Sequence, residues 1–190
     1  DDFHQEKAAI FEAGLSSTSY QQIDDTSARV KGQNHYTQIV CNPFYSAYFT
    51  TERKDRLTVL DVFRNFAPRQ FLYNAEAISL LDSFKLAKKI RRSVEIQLEI
   101  DKIYDENEFN SLLNHINLGS QQRTRIMEAC AIAAYREQKE KPLIKILMCD
   151  DAPQFKLLTE ELTLCWIHDG RHYKKLNPVV PQHKTLRDYF

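Results

Sequence analysis

The sequence carries no net charge and no long apolar run. Its 26 lysines and arginines are balanced by 26 aspartates and glutamates, so bulk charge gives no indication of nucleic-acid binding, and any affinity for DNA has to come from local patches. No apolar run approaches the roughly 18 residues that a membrane-spanning helix needs. A charged-then-apolar leader is also absent from the start of the sequence, so we expect a cytoplasmic protein that does not enter a membrane.

Closely paired cysteines are also missing. Cys41, Cys130, Cys149 and Cys165 show no CxxC spacing, and three of them lie in apolar segments. This distribution predicts buried free thiols. With 190 residues, of which 43% are hydrophobic and 27% charged, the chain is typical of one globular domain with room for an inserted subdomain.

Three strand-like segments lie close together near the start of the chain. Residues 20–26, 36–41 and 44–51 are rich in aromatic and β-branched side chains, which favour strands. Turn signals separate them, at residues 31–34 and at Asn42-Pro43. Because these turns are short, the three segments predict an antiparallel meander.

The apolar period becomes helical after the third strand. Between about residues 64 and 141 no segment has the pattern of a strand, whereas Asn74, Ser83 and Asp105 each suit the N-cap of a helix. This long stretch therefore predicts a helical subdomain inserted into the sheet.

Apolar strands return near the end of the chain, at residues 143–149 and 162–166. We therefore predict an α/β fold whose mixed sheet has three antiparallel strands followed by two further strands. In this prediction residues 1–65 form the first part of the core and residues 66–141 an all-helical insertion. Residues 142–190 form the second part of the core, which is incomplete at its C-terminus.

Two aspartate doublets accompany the predicted strands. Asp24-Asp25 belongs to the first strand, and Asp150-Asp151 directly follows the fourth. Three short strands followed by alternating helices and strands are the element order of an RNase H-like fold, in which the first and fourth strands are neighbours. Asp24 and Asp150 then come together, and two such carboxylates repel unless a cation such as Mg²⁺ lies between them. A pair of these ions supports phosphoryl transfer.

Each doublet also has a structural interpretation. Asp24-Asp25 is compatible with a turn at a strand end, and Asp150-Asp151 with the N-cap of the short helix that follows. Within each doublet the sequence leaves open which carboxylate would bind metal. The two doublets together, in this strand order, favour a metal site at Asp24 and Asp150.

Three short motifs follow one another along the chain: Asp-Asp-Thr at residues 24–26, the Asp-x-x-x-x-aromatic pattern from Asp150, and Cys-Trp-x-His-x-x-Arg at residues 165–171. In this order they resemble the motifs of the DDE transposases of bacterial insertion sequences. The resemblance implies that Asp24 and Asp150 are the first two catalytic acids, that Mg²⁺ or Mn²⁺ is the cofactor and that DNA is the substrate. It also implies a third acid, a glutamate on a later helix. The last glutamate of this sequence is Glu161, so the chain resembles a catalytic domain truncated before that acid.

The segment from Cys165 to Arg171 carries further candidates. Cys165 and His168 are too few for a structural zinc site, which needs four ligands. We expect them instead to order the catalytic acids or to contact DNA, with a core histidine as the alternative. Arg171 suits a phosphate through its guanidinium fork, or a solvated loop. Trp166 is expected in the core.

The densest basic run lies in the insertion, on a predicted helix over residues 83–98. Such a run is either a solvated helix face or a contact to the DNA backbone, and backbone contacts carry no sequence information. The candidate DNA-binding residues, with two that follow Arg171, are Lys85, Lys88, Lys89, Arg91, Arg92, Lys174 and Lys175.

The leading functional hypothesis is a transposase catalytic core. It would cut DNA at transposon ends and join the 3′ hydroxyls to target DNA, and it would act as a homo-oligomer when full length. Another RNase H-like nuclease, without strand transfer, is one alternative. A catalytically inactive DNA-binding or assembly fragment is a second alternative, favoured by the missing glutamate and the zero net charge.

Overall fold

The computed structural model describes residues 2–139, 141–175 and 180–189, without the side chains of residues 172–174 and 187. Its first helix is followed by three consecutive strands, and helices and shorter strands are mixed along the rest of the chain. The helices are α1 (Asp2–Ser16), α2 (Arg56–Phe63), α3 (Ala75–Ser83), α4 (Lys88–Gln97), α5 (Glu106–Asn114), α6 (Ser120–Glu137), α7 (Trp166–Lys175) and α8 (Pro181–Tyr189). The strands are β1 (Tyr20–Val30), β2 (Gln33–Asn42), β3 (Tyr45–Thr51), β4 (Gln70–Leu72), β5 (Ile103–Asp105), β6 (Ile146–Cys149) and β7 (Glu161–Leu164), and a 3₁₀ turn spans Pro153–Phe155.

A mixed sheet with the strand order β3-β2-β1-β6-β7 forms the centre of the molecule. Strands β1, β2 and β3 pair antiparallel, whereas β6 pairs parallel with both β1 and β7. The register places Tyr20 opposite Ile146 and Gln22 opposite Met148. The predicted α/β class, the meander and the adjacency of the first strand to the strand after the insertion are therefore confirmed.

The turn between β1 and β2 has two residues, and both are left-handed. Lys31 has φ 48° and Gly32 has φ 79°, and the strands pair directly across them, with Val30 opposite Gln33. Positive φ at both central positions is the property of a type I′ turn, whose twist matches that of a hairpin. The turn therefore fixes the register between β1 and β2, in which Asp24 lies opposite Ile39.

The core lies against the meander and continues into the insertion. Alternate residues of the strands are buried, as the pleat requires, and Val40 and Leu147 are completely enclosed. Helix α1 covers the sheet with Phe11 and Leu15. Helix α6 is the most buried helix of the insertion and contacts β4, α2 and α3.

The insertion is not all-helical, so that prediction is wrong. Strands β4 and β5 pair antiparallel, with Phe71 opposite Tyr104. Each strand has three residues, which is too short for an alternating pattern to be recognised in the sequence. Both central side chains are buried, and Phe71 stacks on Phe109 with ring centroids 4.3 Å apart.

Two of the predicted helix starts are confirmed. Asn74 accepts a hydrogen bond from the backbone N–H of Ala77, and Asp105 accepts from those of Asn107 and Glu108. A membrane-crossing helix, which would have to be long and apolar, does not occur in the described part of the chain.

The predicted helix over residues 83–98 begins later than expected, so the predicted start at Ser83 is wrong. Ser83 is the last residue of α3, and Lys85 is left-handed with φ 54°. Leu86 donates its N–H to Leu81, and Lys85 donates to Asp82. This is the Schellman arrangement that ends a helix, and α4 begins only at Lys88.

Candidate metal centre

Two neighbouring parallel strands bring Asp24 and Asp150 together. The pairing of β1 with β6 ends at Gln22 and Met148, and each aspartate lies two residues further along its segment. Asp24 is exposed within β1, and Asp150 is half-buried immediately after β6. The sequence prediction that these two carboxylates are neighbours agrees with this geometry.

His168 completes a cluster with these two carboxylates. One possible ligand atom from each of Asp24, Asp150 and His168 lies within 4.8 Å of the other two. The first turn of α7 carries His168 to this position, because the Cys165 N–H donates to Cys149 at 2.8 Å and the His168 N–H donates to Cys165 at 3.1 Å. Among the described residues, the buried Nδ1 of His168 has no hydrogen-bond partner.

The three side chains fit a divalent cation. Neighbouring ligands of an octahedral ion bound at about 2.1 Å lie about 3 Å apart and opposite ligands about 4.2 Å apart. Ligand atoms within 4.8 Å of one another would therefore have to move closer together to share one ion. Two carboxylates supply oxygen ligands and the imidazole one nitrogen. A cleft of about 290 Å³ opens beside Asp150 and His168, and its other lining residues are Asp151, Ala152, Leu164, Cys165 and Asp169.

The second aspartate of each doublet is engaged elsewhere. Asp25 accepts hydrogen bonds from Lys54 at 2.9 Å and from Gln154 at 2.7 Å. Asp151 is exposed and pairs with Lys156 at 2.8 Å. Because successive side chains of a strand point to opposite faces, Asp25 cannot share the position of Asp24. The geometry therefore favours Asp24 and Asp150 as the metal-facing members of the doublets.

Local hydrogen bonds orient both metal-facing carboxylates. Asp24 Oδ1 accepts from the N–H of Asp25 at 2.8 Å, and Asp150 Oδ1 accepts from the N–H of Ala152 at 3.0 Å. The N-cap of the 3₁₀ turn is Ala152, without a capping side chain, so the interpretation of Asp150-Asp151 as an N-cap is wrong. The bond from Ala152 is instead a local turn contact that precedes the 3₁₀ turn. Each carboxylate keeps a second oxygen for other contacts.

Arg56 holds the loop that follows Asp150. Its guanidinium donates to the carbonyls of Pro153 at 2.6 Å and Lys156 at 3.0 Å, and it forms an ion pair with Glu128 of α6. Burial of the Glu128 carboxyl outweighs the effect of Arg56 and raises its pKa. The loop carrying Asp150 is thus fastened to both α2 and α6.

All four cysteines are free thiols, as expected from the sequence. Cys130 and Cys149 are buried, whereas Cys41 and Cys165 are half-buried. Burial raises the pKa of Cys149 to about 12. The neighbouring His168 lowers the pKa of the Cys165 thiol, and both residues line the cleft.

Trp166 does not lie in the core, so that prediction is wrong. Strand β7 ends at Leu164, and Trp166 is the first residue of α7, where it is 84% exposed. Arg171 and Lys175 are also exposed on α7. The side chain of Lys174 lies outside the described part of the structure.

The basic run of the insertion is on the surface of α4 and the turn before it. Lys85, Lys88, Lys89 and Arg92 are exposed, whereas Arg91 is half-buried and pairs with Asp82. None of the five belongs to the residues that line the described cleft. The structure therefore does not bring this run into the metal cluster.

The sequence does not assign three supporting side chains to the site: Lys54, Arg56 and Gln154. It indicates Lys54 and Arg56 only as weaker candidates for contacts to the DNA backbone. Each of the three acts through a contact with residues distant in the chain, and Gln154 is 129 residues from Asp25. Gln154 lies in the 3₁₀ turn that follows Asp150. This closeness to Asp150 was the available signal for a role at the site, but nothing in the sequence identified Asp25 as its partner.

The chain is similar to one protein of undefined role. It is 27% identical over 179 residues to "Uncharacterized protein y4jO" of Sinorhizobium fredii (strain NBRC 101917 / NGR234). The match covers 91% of this chain but 53% of the relative, so the chain spans about half the length of that protein. No protein-family model matches the sequence, and no solved structure matches it.

Proposed function

We propose that this chain is a metal-dependent DNA-processing core of the RNase H-like kind, related to the DDE transposases. The observation that carries the proposal is the cluster of Asp24, Asp150 and His168, which lies just beyond the paired stretch of the parallel strands β1 and β6. The strand order β3-β2-β1-β6-β7, with its antiparallel meander, supports the RNase H-like assignment. DNA at transposon ends and target DNA are the proposed substrates.

Mg²⁺ or Mn²⁺ bound here would act as a Lewis acid on a phosphate of the DNA backbone. Asp24 and Asp150 supply the negative charge that attracts the cation, and the N–H groups of Asp25 and Ala152 keep both carboxylates oriented. Positioning and charge neutralisation of this kind provide most of the catalysis in phosphoryl transfer.

His168 is the proposed third ligand within this chain. The resemblance to transposases implies a glutamate at the third position, whereas the cluster contains an imidazole. Carboxylate sets suit Mg²⁺, and an imidazole nitrogen favours ions later in the first transition series. We therefore expect Mn²⁺ to bind more tightly than Mg²⁺.

Titration with Mn²⁺, followed by electron paramagnetic resonance of the free ion, tests the site. We expect Asp24→Asn and Asp150→Asn each to weaken Mn²⁺ binding at least tenfold, because each removes a charged ligand. Asp151→Asn is the matched control, since Asp151 is an exposed neighbour with a separate ion pair, and its affinity should stay within twofold of the parent. Unchanged Mn²⁺ affinity in the Asp24→Asn/Asp150→Asn double variant would overturn the proposal.

A DNA-binding role without catalysis is the second candidate. The four exposed cations on and before α4, Lys85, Lys88, Lys89 and Arg92, favour it because they are available for phosphate contacts. DNA binding that survives loss of both aspartates but not loss of these cations would distinguish this role from the first.

A further inference from the structure

A hydrogen-bonded bridge joins the two segments that carry the metal-facing aspartates. Asp25 neighbours Asp24 on β1, and Gln154 lies in the 3₁₀ turn after Asp150. The Gln154 amide donates to Asp25 Oδ2 at 2.7 Å. Lys54 donates to the other oxygen, Oδ1, at 2.9 Å.

The bridge lies where the sheet itself no longer joins these segments. The pairing of β1 with β6 ends at Gln22 and Met148, so the strand hydrogen bonds between these two segments stop before Asp24 and Asp150. Beyond that point the Asp25–Gln154 bond supplies a direct link between the two segments. Arg56, bound to the carbonyls of Pro153 and Lys156, prevents the far side of the turn from moving away.

Asp25 is arranged as a structural anchor and not as an exposed acid. Its side chain is 8% exposed, against 45% for Lys54. Both of its oxygens accept a hydrogen bond, one from a cation and one from a neutral amide. Charge-assisted bonds of this kind are roughly twice as strong as neutral ones, so Asp25 can hold Gln154 in place.

We propose that Asp25 and Gln154 are positioning residues that fix the distance between Asp24 and Asp150 and thereby set the affinity of the site for a divalent cation. This inference rests on the proposed function, because it requires Asp24 and Asp150 to bind the ion. It assigns a role to the second aspartate of the first doublet, which the metal cluster does not use.

A double-mutant cycle with Mn²⁺ affinity as the readout tests the bridge. Asp25→Ala and Gln154→Ala should each weaken Mn²⁺ binding about five- to tenfold, and the double variant should be no weaker than either single variant, because all three lack the same bond. Glu99→Ala and Lys102→Ala, which break an exposed ion pair of the insertion, are the matched controls and should leave the affinity within twofold.

Two further substitutions separate positioning from general stability. Gln154→Glu keeps the shape but replaces the donor by a second carboxylate, and we expect it to weaken Mn²⁺ binding as much as Gln154→Ala. Gln154→Lys restores a donor to Asp25 and should recover affinity to within threefold of the parent. Urea unfolding without metal, measured for each variant, gives the fraction of folded protein in every titration. If Asp25→Ala fails to fold, the comparison of Gln154→Glu with Gln154→Lys decides alone.

The outcomes distinguish this inference from the proposed function. Mn²⁺ affinity within twofold of the parent in the folded Gln154→Ala and Gln154→Glu proteins would overturn the bridge while leaving the site intact. Additive losses in the double-mutant cycle would also overturn it, since they would show that the two side chains act independently. Unchanged affinity in the Asp24→Asn/Asp150→Asn variant would instead remove the proposed function itself.

Discussion

Gly14 lies against the ring of Tyr45 with no room for a side chain. A Cβ built at Gly14 would approach three atoms of that ring at 2.6–2.8 Å. The ring is held from its other end, because the Tyr45 hydroxyl donates to Gln21 at 2.8 Å. The close approach of α1 to β3 therefore depends on the absence of a side chain at position 14.

We expect Gly14→Ala to lower the free energy of unfolding by about 1–3 kcal/mol, the usual cost of overpacking. Gly170→Ala is the matched control: Gly170 is also within a helix, but a Cβ there meets nothing within 4 Å among the described residues. Alanine at position 170 should stabilise by up to about 1 kcal/mol through helix propensity. Urea denaturation of both variants measures the difference, and equal stabilities would contradict the steric explanation.

Single residues of the candidate site were predictable to the extent that they end or interrupt an apolar pattern. Asp150 was found because it directly follows a buried strand, and Asp24 because a second doublet occurs in a strand. The choice between Asp24 and Asp25 required the pleat, which turns Asp25 towards Lys54 and Gln154. Trp166 was placed wrongly, because the sequence did not show that β7 ends two residues earlier.

At the scale of elements, one ion pair connects α2, α6 and the loop after β6. The side chains of Arg56 and Glu128 are 12% and 10% exposed, and Arg56 also binds the carbonyls of Pro153 and Lys156. Burial raises the pKa of Glu128, so desolvation of this carboxylate opposes part of the gain from pairing.

Removing one member of this pair is expected to cost more than removing both. Glu128→Ala leaves the Arg56 cation without its carboxylate and should lower the free energy of unfolding by about 3–5 kcal/mol. Glu128→Leu combined with Arg56→Met replaces both charges by apolar groups and should recover part of that loss. Chemical denaturation of the single and double variants checks the order, and a double variant less stable than Glu128→Ala would contradict it.

Helix and strand boundaries in the insertion were the least predictable feature of the elements. Asn74 and Asp105 cap helices as expected, because a capping side chain acts on neighbouring N–H groups. The break at Lys85 depends on a left-handed residue that is not glycine, and no residue type in the sequence marks it. Pairing of β4 with β5 needs Phe71 and Tyr104 to meet across 33 residues, which local patterns do not encode.

At the scale of the whole molecule, the candidate site and the basic run lie on different elements. The carboxylates of Asp24 and Asp150 lie at the sheet, and exposed cations lie on α4. Attraction of DNA would then depend on the local basic surface and decrease with salt.

The triple variant Lys88→Gln/Lys89→Gln/Arg92→Gln is expected to weaken DNA binding and to reduce the salt dependence. Each lost phosphate contact lowers the slope of log K against log salt by about 0.9, so the slope should decrease by about 2–3. The control removes three exposed cations elsewhere, Arg29, Lys31 and Lys139. Fluorescence anisotropy with a labelled duplex at several salt concentrations measures the DNA affinity and its salt dependence. Equal slopes in the two triple variants would contradict a specific role for α4.

The overall strand order was the most predictable property of the molecule. The meander follows from three β-rich segments joined by short turns. The position of β6 beside β1 was expected because three strands followed by alternating helices and strands are the element order of an RNase H-like fold. The sequence could not give the length of the parallel pairing between β1 and β6. Among the described residues, this pairing covers only Tyr20 to Gln22 of β1.

That limited pairing has a consequence for how the protein reaches its native state. The meander closes through short turns, whereas the contact of Gln154 with Asp25 joins residues 129 positions apart. Long-range closure costs more chain entropy and is slower than local closure. We therefore expect the cluster of Asp24, Asp150 and His168 to form in the last stage of folding. The time at which Mn²⁺ affinity appears during refolding would then report the pairing of β1 with β6.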